Sequence, residues 1–522
     1  MKEEERKSAP LYEMLECYKA EGKISFHVPG HKNGHAYRMD QRSAGLLDEV
    51  MRADITEISG SDDLHHPEGV ILEAQRLAVD CFGAEESFFL VGGSTAGNLA
   101  LILTVCAEPG AVLLVQRNVH KSVIHGLMLA GARAVFLDPL LDESSGLAVA
   151  PPEETVRKAL AAWPEAAGLL VTMPNYYGMG SDLAPLARAC HDSGVPLLVD
   201  EAHGAHYGQH PELPTGALSC GADGVVQSTH KMLAAMTMGA MLHVQGPRLD
   251  RALLRQRLAM VQSSSPSYPV MASLDLARRL LHTRRADAFT AGLAAVETLQ
   301  RGLAELPRFA ALRPQAPQRH TGGGGAETSA PRVSARRSTD AAYSTQDPFK
   351  VVIYDAAGVL SGFELQAQLE RKGCVPEMSD ERHVVLLFSL GSRTEDAVSL
   401  LAALREIDRE CPPGPFPSAS VHVSTWNNFE HSPLSAPVHF SLRPVREEET
   451  ERIKLEKSEG RVAAEMVIPY PPGIPLLYPG EVITGEISCR LRSLVEAGAK
   501  FQSVSDPILQ TIKVYITTQA EV

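Results

Sequence analysis

The sequence predicts an α/β protein with a mainly parallel β-sheet, helices on both of its faces and smaller α/β domains at the C-terminal end. Between about residues 70 and 245, short apolar runs alternate with helical stretches such as 182–192. The runs lack polar–apolar alternation, as expected of strands buried on both faces. Strands that alternate with helices are joined by right-handed crossovers and are therefore parallel. The predicted strands are 111–115, 134–137, 168–172, 195–200, 224–228 and 239–244.

Length and composition limit the class of protein. A chain of 522 residues predicts roughly two to three domains, and 44% hydrophobic with 21% charged residues indicates mostly globular structure. The net charge of −14 argues against a nucleic-acid surface. The same charge is explained either by solubility or by attraction of a cationic substrate.

The eight cysteines are scattered, and none forms a CxxC pair. This pattern is typical of reduced thiols in a cytoplasmic protein. The first ten residues, MKEEERKSAP, are charged and lack the apolar core of a signal peptide. No run of roughly 18 apolar residues predicts a membrane span.

Shifts in composition divide the chain. Long helices are expected within 249–305, and the Gly-, Ser- and Arg-rich stretch 313–346 predicts a flexible surface insertion. Apolar runs at 349–354 and 383–390 predict strands of a second sheet. The predicted units are an N-terminal arm at 1–35, a large cofactor-binding domain at 36–305, a small α/β domain at 306–412 and a C-terminal domain at 413–522, after the proline-rich boundary 412–417.

The string GGSTAGN at 92–98 follows an apolar run and precedes the helical run 99–106. Glycines let the backbone approach an anion, Ser94 and Thr95 supply hydroxyls, and a helix N-terminus supplies free N–H groups. The motif predicts an anion site. A helix cap without a ligand explains it equally well.

Asp200 ends the apolar run 195–200, where a buried carboxylate is costly unless a cation meets it. The ring nitrogen of pyridoxal phosphate (PLP) is such a cation. An ionised Asp keeps that nitrogen protonated, so the ring acts as an electron sink. The alternative is an Asp that caps a helix.

Lys231 follows the apolar run 224–228 within QSTHK. A partly desolvated lysine has a lowered pKa and becomes an amine nucleophile. A lone lysine after a strand is usually a solvated loop residue. However, Asp200 and Lys231 are separated by enough chain for one crossover, so both should reach the same sheet edge. Ser228 and His230 are then placed to contact the cofactor phosphate.

His120 lies in RNVHKS, after the predicted strand 111–115. It is a candidate to lie flat against the cofactor ring. A loop histidine bonded to backbone is the alternative. We predict no metal site.

Together these motifs resemble fold type I PLP enzymes, and more narrowly the bacterial Orn/Lys/Arg decarboxylase family. The resemblance covers nearly the whole chain except 313–346. PNYYGM, DEAHGAH and AMTMG are most similar to the compact Firmicutes-type members, without a receiver-like wing before the large domain. The strings that carry the resemblance are FHVPGHKNG (26–34), DITEISGSDDLHHPEG (54–69), GGSTAGN (92–98), QRNVHKS (116–122), PNYYGM (174–179), VDEAHGAH (199–206), QSTHK (227–231) and YPPGIPLLYPGE (470–481).

The resemblance implies a role for each position. Lys231 carries PLP as a Schiff base, Asp200 pairs with the ring nitrogen, and His120 stacks on the ring. It also implies a homodimer or higher oligomer with the site at the interface, where 264–268 reaches the neighbouring site; an ordinary Ser/Pro turn is the alternative. The other implied cofactor contacts are Ser94, Thr95, Ser228 and His230 around the phosphate, and His203 near the cofactor.

The activity implied is decarboxylation of arginine, lysine or ornithine to CO2 and an amine of polyamine biosynthesis. Lys231 and His230 are the candidates to protonate Cα. The alternatives are a PLP-dependent aminotransferase or other amino-acid lyase, and a non-catalytic PLP-fold binding protein. Arginine is favoured by resemblance alone. Candidates to bind the distal cation, each of which also fits a solvated charge or a cap, are Asp62, Asp63, Glu68 and Glu481.

Overall fold

The computed structural model of the protein describes residues 2–39, 45, 47–314, 342–412, 433–470 and 473–516. Most of the predicted insertion at 313–346 and most of the predicted boundary at 412–417 lie outside the described residues.

The α-helices are α1 (Glu3–Lys7), α2 (Pro10–Glu21), α3 (Asp48–Ala53), α4 (Val70–Phe82), α5 (Gly93–Val105), α6 (Lys121–Ala130), α7 (Glu153–Ala162), α8 (Ala184–Asp192), α9 (Thr229–Met232), α10 (Arg251–Val261), α11 (Tyr268–Arg284), α12 (Thr290–Ala304), α13 (Gly362–Arg371), α14 (Thr394–Glu410) and α15 (Gly485–Glu496). The strands are β1 (Glu86–Leu90), β2 (Val112–Gln116), β3 (Arg133–Leu137), β4 (Leu169–Thr172), β5 (Met179–Gly180), β6 (Leu197–Asp200), β7 (Gly224–Gln227), β8 (Ala240–Val244), β9 (Phe309–Ala311), β10 (Thr345–Gln346), β11 (Lys350–Asp355), β12 (Met378–Ser379), β13 (His383–Leu387), β14 (Val438–His439), β15 (Thr450–Lys454), β16 (Ile468–Tyr470), β17 (Lys500–Gln502) and β18 (Thr511–Tyr515).

The large sheet has the strand order β1-β8-β7-β6-β4-β2-β3-β14. The central pairs β7–β6, β6–β4, β4–β2 and β2–β3 are parallel, which confirms the mainly parallel sheet. β8 is antiparallel to both of its neighbours. Between β7 and β8 the chain forms only the four-residue helix α9, which is too short for the crossover that a parallel strand requires.

Alternate residues of β2 show why the central strands are apolar throughout. Leu113 and Val115 pack into a core with the helices α5 and α6 on one face. Val112 and Leu114 pack into a second core with α7 and α8 on the other face. Successive side chains of a strand point to opposite faces, so a strand between two helix layers needs apolar residues at every position.

The helix α5 begins at Gly93, earlier than the predicted helical run 99–106. Its N-cap, Gly92, has φ −102° and ψ 18°, and only Val91 separates this residue from the end of β1. The polar string GGSTAGN therefore forms the first two turns of α5 rather than a preceding loop. This places Ser94 and Thr95 at the helix N-terminus.

Two smaller groups of elements pack around the large sheet. The order β12-β13-β11-β9 forms a four-stranded antiparallel sheet, and its core includes side chains of α12, α13 and α14. Near the C-terminus, β15 pairs with β18, β16 pairs with β17, and α15 shares a core with them. β14 instead joins the large sheet beside β3. Among the described helices, none combines the length and the apolar character that crossing a bilayer demands.

Gly97 provides a test of the packing between α5 and the sheet. A Cβ atom at this position would lie 2.8 Å from Cδ1 of Leu90 and 2.8 Å from Cγ1 of Val226. We expect Gly97→Ala to lower the free energy of unfolding by about 1–3 kcal/mol, because the helix must move off the sheet. The midpoint of thermal unfolding measures this. Gly391→Ala is the control, since the nearest atom to its Cβ is Oγ of Ser389 at 3.8 Å; equal midpoints for both variants would contradict the packing argument.

Candidate active site

The predicted acid and lysine lie at the same edge of the large sheet. Asp200 is the last residue of β6, and Lys231 lies in α9, directly after β7. β6 and β7 are parallel neighbours, with Asp200 opposite Val226. The carboxyl ends of parallel strands are where ligands bind in open α/β sheets.

Asp200 is buried, with 3% of its surface exposed. Its Oδ2 accepts a hydrogen bond of 2.8 Å from the Asn98 side-chain amide, and its Oδ1 accepts one of 3.1 Å from the Ala202 backbone N–H. Both donors are neutral. The same amide nitrogen of Asn98 donates to Oγ of Ser122 at 3.0 Å, and that hydroxyl contacts Nδ1 of His120 at 2.9 Å. One polar network therefore joins β6, α5 and the start of α6.

The neighbouring acid, Glu201, has a different environment. Burial raises the pKa of Glu201 to about 8, although hydrogen bonds from Gln227 and from the Ala217 backbone N–H favour its carboxylate. Glu201 is thus mostly protonated at neutral pH. Asp200 is the carboxyl group that faces Asn98 and His120.

Lys231 belongs to a chain of three basic side chains. Its Nζ lies 3.1 Å from Nε2 of His203, and Nδ1 of the same imidazole lies 3.0 Å from Nζ of Lys350. Burial lowers the pKa of Lys231, against the opposing influence of Asp200 and Glu377. A lowered pKa increases the neutral fraction of this amine, and therefore its nucleophilicity.

Tyr176 covers this group from one side. Its ring centroid lies 4.6 Å from that of His203, with the two planes tilted by 53°. Nζ of Lys231 lies 5.9 Å from the centre of the Tyr176 ring. The tyrosine also lines an adjacent cavity of about 370 Å³. The polar side chains that line this cavity with Tyr176 include Arg117, Asn118, Asp138, Asn175, Asp380 and Arg490.

His120 is the N-cap of α6, and its Nδ1 accepts a hydrogen bond of 3.2 Å from the Ser122 backbone N–H. Burial lowers the pKa of His120 to about 4; Asp200 acts in the opposite direction and Lys231 in the same one. A Cβ atom on Gly473 would lie 3.9 Å from Cδ2 of His120, so the C-terminal part of the chain approaches this ring. The predicted stacking of His120 on a cofactor stays a prediction.

The predicted phosphate contacts are partly brought together. The hydroxyls of Ser94 and Ser228 lie 2.9 Å apart, at the start of α5 and the end of β7. Thr95 is exposed in the same helical turn as Ser94. One ring nitrogen of His230 already has a partner other than these hydroxyls. Its Nδ1 donates to the Gly239 carbonyl at 2.9 Å, and the His230 backbone N–H donates to the same oxygen at 3.0 Å.

Two candidates for the distal cation already have other partners. Asp62 accepts backbone hydrogen bonds from Glu68, Gly69 and Ile71 at 2.8–2.9 Å, which satisfies N–H groups at the start of α4. Glu481 accepts two hydrogen bonds from Arg117, at 2.8 and 2.9 Å.

The other two acidic candidates, Asp63 and Glu68, are exposed.

In the segment 264–268, Ser264 is exposed, but Tyr268 is buried and donates to the Asp62 carbonyl at 2.6 Å. The predicted reach of this segment into a neighbouring subunit stays a prediction.

Comparison with known proteins identifies the family. Residues 9–396 match the major domain of Orn/Lys/Arg decarboxylases, and residues 430–503 match their C-terminal domain. The chain belongs to the Orn/Lys/Arg decarboxylase family. The predicted family is therefore confirmed, and with it the prediction of an amino-acid decarboxylase.

Several relatives are similar over nearly the whole of this chain. The uncharacterized protein YaaO of Bacillus subtilis is 40% identical over 491 residues, which is 94% of each chain. The arginine decarboxylase of the same species is 33% identical over 97% of each chain. The lysine decarboxylase LdcA of Pseudomonas aeruginosa is 27% identical over 91% of this chain and 74% of its own.

Solved structures confirm the fold. A lysine decarboxylase from Francisella novicida superposes with a TM-score of 0.75 at 20% identity, over 97% of this chain and 81% of its own. The constitutive lysine decarboxylase of E. coli gives 0.72 at 23% identity, over 98% and 82%. These matches establish the predicted α/β fold of this family.

Sequence reasoning did not single out Asn98, Ser122, Tyr176 or Lys350. The first three lie inside strings that carry the family resemblance, GGSTAGN, QRNVHKS and PNYYGM, so the strings contained the signal. Lys350 lies in an apolar run predicted only as a strand, 349–354, and no local pattern distinguishes it. Its partner His203 is distant in sequence, which makes their contact a tertiary property.

Asn98→Ala tests the network around Asp200. We expect a loss of about 2 kcal/mol in the free energy of unfolding at neutral pH, because a buried carboxylate loses a hydrogen bond from a side-chain amide. Denaturant titration followed by circular dichroism measures this. Gln366→Ala is the control, since the hydrogen bond that Gln366 donates to Glu370 across one turn of α13 is exposed to solvent. A loss for Asn98→Ala as small as that of the control would show that the network is not stabilising.

Proposed function

We propose that this family member binds PLP between Lys231 and Asp200 and decarboxylates a basic amino acid. The observation that carries the proposal is the position of these two side chains at the ends of neighbouring parallel strands, β6 and β7. The lysine is partly desolvated and the carboxylate is buried. The fold and family also support this cofactor.

The donor set of the site fits PLP. Asp200 accepts hydrogen bonds from two neutral groups, which fits a carboxyl group that would also pair with a cationic ring nitrogen. The hydroxyls of Ser94 and Ser228 meet at the N-terminus of α5, where a phosphate is favoured. When bound, PLP supplies an electron sink for the pair released as CO2 leaves.

The side chains of this chain then have separate tasks. Asp200, oriented by Asn98, would hold the proton at the ring nitrogen. Lys231, as a neutral amine, would attach the cofactor. Lys231 and His230 are the candidates to deliver a proton to Cα. We favour Lys231, because Nδ1 of His230 already donates to the Gly239 carbonyl.

Arginine is the substrate that we favour among the three basic amino acids. The relatives named arginine decarboxylase are 32–33% identical over at least 90% of this chain, whereas those named lysine decarboxylase are 24–27% identical. The cavity beside Tyr176 is lined by the carboxyl groups of Asp138 and Asp380 and also by the guanidinium groups of Arg117 and Arg490. Of the two acids, Asp380 also accepts a hydrogen bond from the Tyr177 hydroxyl at 2.6 Å. We propose that this cavity receives the distal cation of the substrate. We also propose a cytoplasmic homodimer.

Lys231→Ala is the direct test of the cofactor site. We expect the purified variant to lose the visible absorbance of the Schiff base and nearly all turnover, because the amine that we assign to the cofactor is absent. Lys158→Ala removes an exposed lysine of α7, paired only with Glu154, and should leave both properties unchanged. A Lys231→Ala variant with normal absorbance and turnover would refute the assignment.

Substrate and reaction type are tested together. The purified protein is incubated with arginine, lysine and ornithine, and CO2 is measured with agmatine, cadaverine and putrescine. We expect CO2 in a one-to-one ratio with one amine, agmatine above the others. Amine transfer that depends on an added keto acid, without CO2, would instead indicate an aminotransferase. Absence of both reactions in protein that binds PLP would favour a binding protein.

A further inference from the structure

The imidazole of His203 lies between two lysine amines. Nε2 is 3.1 Å from Nζ of Lys231, and Nδ1 is 3.0 Å from Nζ of Lys350. His203 and Lys350 are buried, so bulk water does not separate them. Lys350 begins β11 of the smaller sheet, whereas His203 follows β6 and Lys231 lies in α9, after β7 of the large sheet. This contact therefore joins two parts of the fold at the site.

Proton counting restricts the charge of this group. A neutral imidazole has one N–H and one lone pair. One lysine can donate to the lone pair as an ammonium, but the other must accept the N–H and therefore has to be a neutral amine. Burial and both lysines lower the pKa of His203 well below its usual value, so the imidazole stays neutral. With both hydrogen bonds formed, Lys231 and Lys350 cannot both be ammonium ions.

We propose that Lys350 is a positioning residue that accepts, through the imidazole of His203, the proton of the Lys231 ammonium, and so holds Lys231 as a neutral amine. The inference rests on the proposed function in one respect, since it takes Lys231 as the amine that attaches the cofactor. It adds a proton acceptor to that site.

The transfer is balanced. The proton on Nζ of Lys231 moves to Nε2 of His203, while the proton on Nδ1 of His203 moves to Nζ of Lys350. One N–H bond breaks and one forms at each step, and the net charge of the group is unchanged. The imidazole begins and ends neutral, with the opposite tautomer.

Two carboxylates favour a proton on Lys350. Burial and the Lys231 ammonium together lower the pKa of Lys350 to about 8, and Glu377 and Asp347 oppose this shift. Asp347 is fixed by its bonds to His206 and to the Phe349 backbone N–H. We call Lys231, His203 and Lys350 the relay. The titratable groups that face these three side chains are Asp200, Glu377, Asp347, His120, His230 and Tyr176.

The test measures the protonation of Lys231 without using activity. The full-length protein, freed of any cofactor with hydroxylamine, is labelled with trace acetic anhydride over a range of pH. Mass spectrometry of the peptide with Lys231 gives the pH midpoint of its reactivity. We expect Lys350→Met to raise this midpoint by about one pH unit or more, because Lys231 loses both its proton acceptor and a neighbouring positive charge.

Lys350→Arg separates the relay from packing. A permanently charged guanidinium keeps the positive charge and donates to Nδ1 of His203, so the midpoint should stay at or below that of the wild type. Lys372→Met is the matched control, since this lysine directly follows α13 and pairs with Glu406 and Glu410 on the surface, and it should leave the midpoint unchanged.

Should Lys350→Arg fail to fold, His203→Phe replaces it. This variant should also raise the midpoint, and the double variant should raise it by less than the sum of the two single shifts, because both changes break the same hydrogen-bonded chain. An unchanged midpoint in Lys350→Met, an upward shift in Lys350→Arg, or additive shifts in the double variant would each overturn the proposal. Since labelling needs neither PLP nor substrate, these outcomes are distinct from a failure of the proposed decarboxylase activity.

Discussion

Burial of the Asp200 carboxylate is the constraint on which the site depends. A carboxylate at the end of a strand covered on both faces loses its hydration, and that cost is offset only by donors held in place. Asn98 and the Ala202 backbone N–H provide two of them. Asn98 also donates to the Ser122 hydroxyl, and that hydroxyl contacts His120. The hydrogen bonds that stabilise this one carboxylate therefore also connect α5 with the start of α6.

Loss of hydration also penalises the charged forms of the basic side chains at the site. Burial disfavours the ammonium forms of Lys231 and Lys350 and the protonated form of His203. Bringing the three together therefore requires them to share protons. The acidic and basic networks meet at Lys231, whose ammonium is stabilised by Asp200 and destabilised by its own burial. An amine in this balance is suited to covalent attachment of an aldehyde.

Two short segments, α9 and the turn before α5, determine which side chains meet at the site. α9 has four residues, so Lys231 stays at the edge where β7 ends. Gly92 caps α5 two residues after β1 ends, so α5 starts with the polar string GGSTAGN and the Ser94 hydroxyl lies beside Ser228. In both places the backbone leaves the strand abruptly, which concentrates polar groups at one edge of an otherwise apolar sheet.

The sequence by itself determined the mainly parallel sheet and the positions of Asp200 and Lys231 after two of its strands, because apolar runs and the order of motifs are local patterns. It also determined the family, because the matching strings extend along the chain. The contact between His203 and Lys350 was decided by the tertiary structure, as were the partners of Glu481 and Asp62. These contacts join residues distant in sequence or on different elements, and no local periodicity encodes which distant side chain will satisfy a buried polar group.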